Sequence, residues 1–149
     1  MTMTMKNNLF LLLLAVVVPV SSVAAPPTPV PFLVIAHPDP ALAALSLSRL
    51  SLIFLRRETR LPDGSPIRPV DQARSAEVRA SFTLAVHHKS MEAVEELWQE
   101  LLFAGRTVPP PVMQSERQIF DYVKTTPGAL AYVVVQQIPD GIMVVSIVR

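Results

Sequence analysis

The stretch Val30-Pro-Phe-Leu-Val-Ile-Ala36 decides the fold class, and the rest of the chain is arranged around it. It is a short, almost continuous apolar run with β-branched side chains, and Pro29 and Pro38 bound it. A run of this length without alternation predicts a strand that is buried on both faces, which is typical of a parallel sheet covered by helices.

Four segments with helical periodicity follow this strand. In each of them, apolar side chains recur every three or four positions, which predicts one face packed on a core. Each segment also begins near a serine, a residue whose hydroxyl accepts from the free amides of a helix start. These predicted N-caps are Ser46 or Ser48, Ser75, Ser90 and Ser115.

Two β-rich runs come last, Leu130–Val135 and Ile142–Val148, with the turn Pro139-Asp140-Gly141 between them. Their spacing predicts a hairpin or a bent pair of strands. Strands and helices therefore alternate along most of the chain, which predicts an α/β fold with a mixed, mainly parallel sheet flanked by helices.

The first residues have the pattern of a secretory signal peptide. Leu9–Val20 is an apolar run of about twelve residues, shorter than the ~20 that a spanning helix needs, and Lys6 precedes it. Small residues at Ser22 and Ala24 fit a cleavage site, so we predict a signal peptide over 1–24 that is cut after Ala24. An uncleaved N-terminal anchor is the alternative. A proline-rich leader, 25–31, and a single domain, 32–149, follow.

The composition excludes several classes of function. The 149-residue chain has no cysteine, which excludes disulfides, thiolate zinc sites, iron–sulfur clusters and a cysteine nucleophile. A formal net charge of +1 and 6% aromatic residues argue against a nucleic-acid partner. We expect no cofactor, no metal site and no membrane span after removal of the signal peptide.

Three stretches carry a resemblance to a known family. The first joins Phe32-Leu-Val-Ile-Ala-His-Pro38 to Leu45-Ser-Leu-Ser-Arg-Leu-Ser-Leu-Ile-Phe-Leu-Arg-Arg57. The second is Leu61-Pro-Asp-Gly-Ser-Pro-Ile-Arg-Pro-Val70, and the third is Tyr122-Val-Lys-Thr-Thr-Pro-Gly-Ala-Leu-Ala-Tyr-Val133. In this order and spacing they resemble the type 2 periplasmic solute-binding proteins, specifically the phosphate-binding protein of the phosphate ABC transporter and its short relatives.

The resemblance implies one lobe of a two-lobed fold, without catalysis, in the periplasm. It also implies a small oxyanion as ligand and a transporter permease, a sensor or an envelope protein as partner. In this lobe the family uses an arginine and then a serine-glycine-threonine at a helix start. On this chain the arginine falls at or near Asp71, and the triplet falls on Ser75, Ala76 and Glu77, so only the serine is kept.

Ser75 is therefore the first candidate for a ligand site. With the backbone amides of Ala76 and Glu77 it could hold an anion, because a helix start presents unpaired N–H donors and the positive end of the helix dipole. Arg74 and Arg79 would add positive charge.

The alternative is that these residues only start a helix. Asp71 and Glu77 place negative charge beside Ser75, and like charge opposes an anion. Ser75 is then an N-cap, Glu77 complements the helix dipole, and Arg74 is solvated.

His37 is a second candidate, because it follows the first strand at the end where open α/β sheets bind ligands. A loop histidine bonded to backbone or water is its alternative. His87 and His88 are adjacent and face apart, so they do not make a zinc pair.

Three functions remain after these exclusions. The first is an exported, non-catalytic solute-binding-like domain for a small anion. The second is an interaction or sensory accessory module whose phosphate site has been lost. The third, a small hydrolase, has no nucleophile, base and oxyanion set to support it. We therefore predict a protein that is not an enzyme and has no catalytic residues.

Overall fold

The computed structural model describes residues 28–148. The predicted signal peptide over 1–24 and the first three residues of the leader, 25–27, lie outside this range, as does Arg149. Within 28–148, none of the helices has the length and apolar character needed to cross a bilayer.

Strands and helices alternate along the described chain. They are β1 (Phe32–Ala36), β2 (Ala44–Ser46), α1 (Leu47–Phe54), β3 (Arg68–Pro69), β4 (Asp71–Gln72), α2 (Glu77–His87), α3 (Met91–Phe103), β5 (Val112–Met113), α4 (Glu116–Thr125), β6 (Ala129–Val134), β7 (Met143–Val144) and β8 (Ser146–Val148). A 3₁₀ turn, Pro40–Leu42, precedes β2.

The main sheet has four strands in the order β3-β6-β1-β7. β3 runs parallel to β6, whereas β1 is antiparallel to both of its neighbours. Two smaller pairs, β2 with β8 and β4 with β5, are parallel. The predicted mixed α/β fold is confirmed.

Two local predictions about this sheet are wrong. β1 is buried as expected, but its partners are antiparallel, because a buried apolar strand fits either kind of sheet once helices cover both faces. The two last runs form no hairpin: β6 and β7 lie on opposite sides of β1, and β8 pairs with β2. Turn residues predict that the chain reverses direction, but they do not decide whether the two strands on either side of the turn pair with each other or with a third strand between them.

Helices cover the sheet on both faces, and alternate residues of each strand separate the two cores. Val34 and Tyr132 face a core with side chains of α1 and α2, among them Leu50 and Phe82. Ile35, Ala131 and Val133 face a second core with Ile119 and Val123 of α4. This two-sided burial explains why β1 is apolar throughout.

Three of the four predicted N-caps are confirmed. The hydroxyls of Ser46, Ser90 and Ser115 accept from the third amide of α1, α3 and α4, respectively. The prediction for Ser75 is wrong. Residues 73–76 form a turn in which the amide of Ala76 donates to the carbonyl of Ala73, so α2 starts one residue later, with Ala76 as its N-cap and no side-chain hydrogen bond.

Candidate functional site

A cleft of about 590 Å³ lies where the chain enters α2. One side of it is formed by the 73–76 turn and the first turns of α2. The other side is formed by β5, which pairs in parallel with β4. The residues that line the cleft are Ala73, Arg74, Ser75, Arg79, Val112 and Gln114. Two arginines, a serine and an amide side chain therefore share one concave surface.

Beneath this cleft, the carboxylate of Asp71 accepts hydrogen bonds from several sides. Its Oδ1 accepts from the Tyr132 hydroxyl and from the backbone amide of Gln72, which lies at 2.8 Å. Its Oδ2 lies 3.0 Å from Nη2 of Arg79. Asp71 thus joins three elements, β4, β6 and α2, through one charged group.

Tyr132 is held rigidly inside the protein. Its side chain is fully buried, and its ring stacks on Phe82 with the centroids 3.8 Å apart and the planes nearly parallel, at 5°. Burial raises the pKa of the Tyr132 hydroxyl far above its ordinary value, and the negative charge of Asp71 adds to this rise. The hydroxyl therefore keeps its proton and acts as a donor.

Arg79 is committed to the same cluster. While Nη2 faces Asp71, Nη1 donates to the carbonyl of Gln72 at 2.7 Å. The side chains of Arg79 and Asp71 are only 13% and 18% exposed. A guanidinium fixed at both nitrogens, in a setting with little water, stabilises the β4–α2 junction.

Arg74 is on the rim of the cleft and is 62% exposed. It forms an ion pair with Glu95 of α3, and its Nη2 lies 3.9 Å from Glu92. Such pairs in solvent contribute little to stability, because water screens both charges. Arg74 is therefore able to leave Glu95 for another anion.

The structure brings together four of the five residues that the sequence singled out. Arg74, Ser75, Ala76 and Glu77 follow one another into α2; Arg74 and Ser75 line the cleft, while the exposed Glu77 side chain places negative charge at the same helix start. One of the two backbone amides that the sequence predicts as donors, that of Ala76, is already bonded to the carbonyl of Ala73. Because no side chain caps α2, the Ser75 hydroxyl and the amide of Glu77 remain the candidate donors at this helix start.

His37, the fifth residue, lies elsewhere. It follows the carboxyl end of β1, and its Nδ1 is 3.0 Å from the carbonyl of Val123 in α4. The other end of β1 faces α2, where the amide of Val30 donates to the Ser81 hydroxyl at 2.8 Å. His37 is therefore bonded to α4 and is not among the residues that line the cleft.

The described chain offers no metal centre. Within residues 28–148, no three histidine, aspartate or glutamate side chains are grouped so that they could hold an ion. His87 has a different role: its Nδ1 lies 2.9 Å from the Ser51 hydroxyl, and burial lowers the pKa of the ring to about 4, with His88 and Lys89 adding to the shift. The ring is therefore neutral near pH 7.

A second cleft, of about 630 Å³, lies on another side of α2. It is mostly apolar, with Pro29, Val30, Ala80 and Leu84 among the side chains that line it. Its ionisable group is Glu77, which would repel an anion. Among the described residues, no cation lines this second cleft, whereas two arginines line the cleft at the start of α2, which is therefore the candidate site.

Sequence reasoning missed two members of the buried cluster. Gln72, which is 6% exposed, donates from Nε2 to the carbonyl of Tyr132 at 2.8 Å. Tyr132 lies in a β-rich run, where an aromatic residue indicates core packing and not a polar contact. The one available signal was Asp71, an acidic residue directly after the buried apolar residue Val70.

No family model and no curated protein matches the sequence. Solved structures, however, share the fold. A structure described as a phosphate ABC transporter substrate-binding protein with bound phosphate, from Clostridium perfringens, matches with a TM-score of 0.62 and 20% identity, over 76% of this chain and 43% of that chain. An ABC-type phosphate transport receptor from Vibrio cholerae matches with a TM-score of 0.60 and 13% identity, over 76% and 44%.

PstS from Borrelia burgdorferi matches with a TM-score of 0.53 and 12% identity, over 78% of this chain and 46% of that chain. The chain therefore spans less than half the length of these solved structures. At this identity the likeness shows the fold alone. The described chain has the mixed α/β fold of one lobe of a phosphate-binding-protein-like structure, as the resemblance predicts.

Proposed function

We propose that the protein is an exported, non-catalytic solute-binding-like module that holds a small oxyanion in the cleft at the start of α2. The observation that carries this proposal is the set of donors around that cleft. Arg74 and Ser75 line it as exposed donors, Arg79 adds positive charge while it stays bonded to β4, and α2 begins there without a side-chain cap. The bound phosphate in the Clostridium perfringens structure, which shares this fold, supports the choice of ligand class.

We expect weak binding by this lobe alone. A single lobe offers an open shelf, whereas tight binding of small ligands needs donors that enclose them. The nearby carboxylates of Asp71 and Glu95 also compete for the two arginines. A second lobe, supplied by another chain or another copy, would exclude water and strengthen each contact.

Titration calorimetry of the chain from residue 25 onward tests this function with inorganic phosphate and sulfate as probes. In a buffer of low ionic strength we expect measurable heat of binding, with a dissociation constant on the order of millimolar. Ser75→Ala is expected to weaken binding several-fold. Ser48→Ala, at an exposed position on α1, is the matched control and is expected to leave it unchanged.

A folded protein that releases no heat with either anion would overturn the ligand assignment. Equal affinity for wild type and Ser75→Ala would remove Ser75 from the site. Circular dichroism on each variant confirms that the fold is intact.

Export is a separate part of the proposal. We propose that residues 1–24 direct the chain to the periplasm and are removed after Ala24. The expected result is a mature N-terminus at Ala25 in the periplasmic fraction, read by intact-mass spectrometry. Recovery of the full-length chain from the cytosol would contradict it.

A second candidate function is a protein-interaction or sensory accessory module. It is favoured by the internal pairing of both cleft arginines, Arg79 with Asp71 and Arg74 with Glu95. In this case the partner is a transporter permease, a sensor or another envelope protein, and small anions do not bind. Two results together would favour this function over the first: crosslinking in the periplasm recovers a defined partner, and calorimetry shows no heat of binding with phosphate or sulfate.

A further inference from the structure

The carboxylate of Asp71 lies where donors converge as they would around a bound oxyanion. The Tyr132 hydroxyl and the Gln72 amide donate to its Oδ1, and Arg79 donates to its Oδ2. A neutral donor, a backbone amide and a guanidinium are the groups that proteins use to bind phosphates and carboxylates. Here the acceptor is a carboxylate of the same chain.

These donors are held in position by contacts other than those with Asp71. Tyr132 is fixed by its stacking on Phe82 and by the pairing of β6 with β1. The other nitrogen of Arg79 is bonded to the carbonyl of Gln72. Preorganised donors keep their direction when the group between them is exchanged. We therefore expect this cradle, formed by the Tyr132 hydroxyl, the Gln72 amide and the Arg79 guanidinium, to persist without the carboxylate.

The cradle is also within reach of solvent. Arg79 lines the cleft of about 590 Å³, and the Asp71 side chain is 18% exposed. The cluster around Asp71 therefore lies beside the cleft, and Arg79 belongs to both.

We propose that Asp71 is an internal anion that occupies a latent site for oxyanions and small carboxylates, and thereby inhibits anion binding by this lobe. This inference rests on the proposed function, because it explains how the same cleft is kept from binding anions tightly. A tethered carboxylate competes at a high effective concentration. It also repels an incoming anion, since two like charges about 4 Å apart oppose each other strongly where little water screens them.

The first test empties the cradle. In Asp71→Ala, the three donors lose their acceptor, and we expect the melting temperature to fall. Formate matches the deleted carboxylate. At tens of millimolar it is expected to raise the melting temperature of this variant again by several degrees. Asp63→Ala is the control, since Asp63 is a surface aspartate in a turn, bonded to Ser65, and formate should not change its melting temperature.

The second test keeps the shape of the side chain, so that it does not depend on how well Asp71→Ala folds. Asp71→Asn retains an oxygen for Tyr132 but removes the charge that pairs with Arg79. We expect phosphate to bind this variant at least tenfold more tightly than wild type by calorimetry. The added variant Arg79→Met in the Asp71→Asn background is expected to abolish the gain.

The outcomes separate this inference from the proposed function. Phosphate binding by Asp71→Asn but not by wild type supports the internal anion and refutes anion binding by the natural chain. Phosphate binding by wild type that Asp71→Asn does not improve overturns the internal anion and leaves the proposed function standing. Absence of both phosphate binding and formate rescue in all variants overturns the two together, and Asp71 is then a purely structural partner of Arg79.

Discussion

Two arginines line the same cleft, but they lie in contrasting settings. Arg79 is 13% exposed and is bonded at both terminal nitrogens to β4, while Arg74 is 62% exposed and pairs with glutamates of α3. They lie on either side of Ser75 in the sequence, so residue type and position near the helix start do not distinguish them. Each has two partners, so burial decides that one arginine holds the fold together and the other remains available to a ligand.

The comparison extends to the helix starts. Serine hydroxyls cap α1, α3 and α4, whereas α2 begins at Ala76 without a side-chain cap. The uncapped start is the one that opens into the cleft. The groups of the inner cluster below the cleft are bonded to one another, whereas the rim carries Arg74, in exposed ion pairs, and Ser75, whose hydroxyl does not cap α2.

Removing the inner arginine is expected to have the largest effect. Arg79→Met keeps most of the packing of the stem but leaves the Asp71 carboxylate without its cation, which we expect to lower the free energy of unfolding by about 3 kcal/mol. Urea denaturation measures it. A loss below about 1 kcal/mol, as expected for an exposed pair, would show that the two arginines differ less than their burial indicates.

Removing one donor from the inner cluster is expected to cost less. Tyr132→Phe keeps the stacking on Phe82 but withdraws a hydrogen bond from a poorly solvated carboxylate, at a cost of about 1–2 kcal/mol. Tyr122→Phe, at a partly buried tyrosine of α4, is the matched control. If both variants melt at the same temperature, the hydroxyl of Tyr132 contributes no net stability.

Supplying the missing cap sharpens the contrast between the helix starts. Ala76→Ser places a hydroxyl at the N-cap of α2, and we expect a gain of about 1 kcal/mol, the usual value of such a cap. The reverse change, Ser90→Ala on α3, should cost a similar amount. If Ala76→Ser does not raise the melting temperature, the 73–76 turn holds residue 76 in a geometry that a side-chain cap cannot use.

The rim arginine is expected to have the smallest effect on stability. Arg74→Ala should change the free energy of unfolding by no more than about 0.5 kcal/mol, because its ion pairs are exposed. It should nevertheless weaken phosphate binding, since this guanidinium faces the cleft. A stability loss close to that of Arg79→Met would refute the division between rim and inner cluster.

Much of the fold was predictable from local pattern. Three features depend only on neighbours in the sequence, and the structure has all of them: the apolar run that ends at Ala36, the helical periodicity, and the serine caps at positions 46, 90 and 115. The prediction failed at Ser75, because the hydrogen bond from Ala76 to Ala73 forms a turn that shifts the helix start. It also failed for the last two runs, because β1 lies between β6 and β7.

The candidate site was predictable only in part. The stretch from Arg74 to Glu77 lies together because it is contiguous, whereas His37 is bonded to the carbonyl of Val123 at the far end of β1. The bond between Asp71 and Tyr132 joins residues 61 positions apart. No spacing rule predicts such a contact, because it depends on how β4, β6 and α2 pack.

The sequence by itself determined the alternation of helices and strands, the apolar faces that form the two cores and the residues that surround the start of α2. These features follow from the periods of helix and strand and from the chemistry of single side chains. Only the tertiary structure decided the strand order, the pairing of Arg79 with Asp71 and the burial of the Tyr132 hydroxyl. Each of these depends on the distance between segments far apart in the chain, and that distance is set by packing and not by local preference.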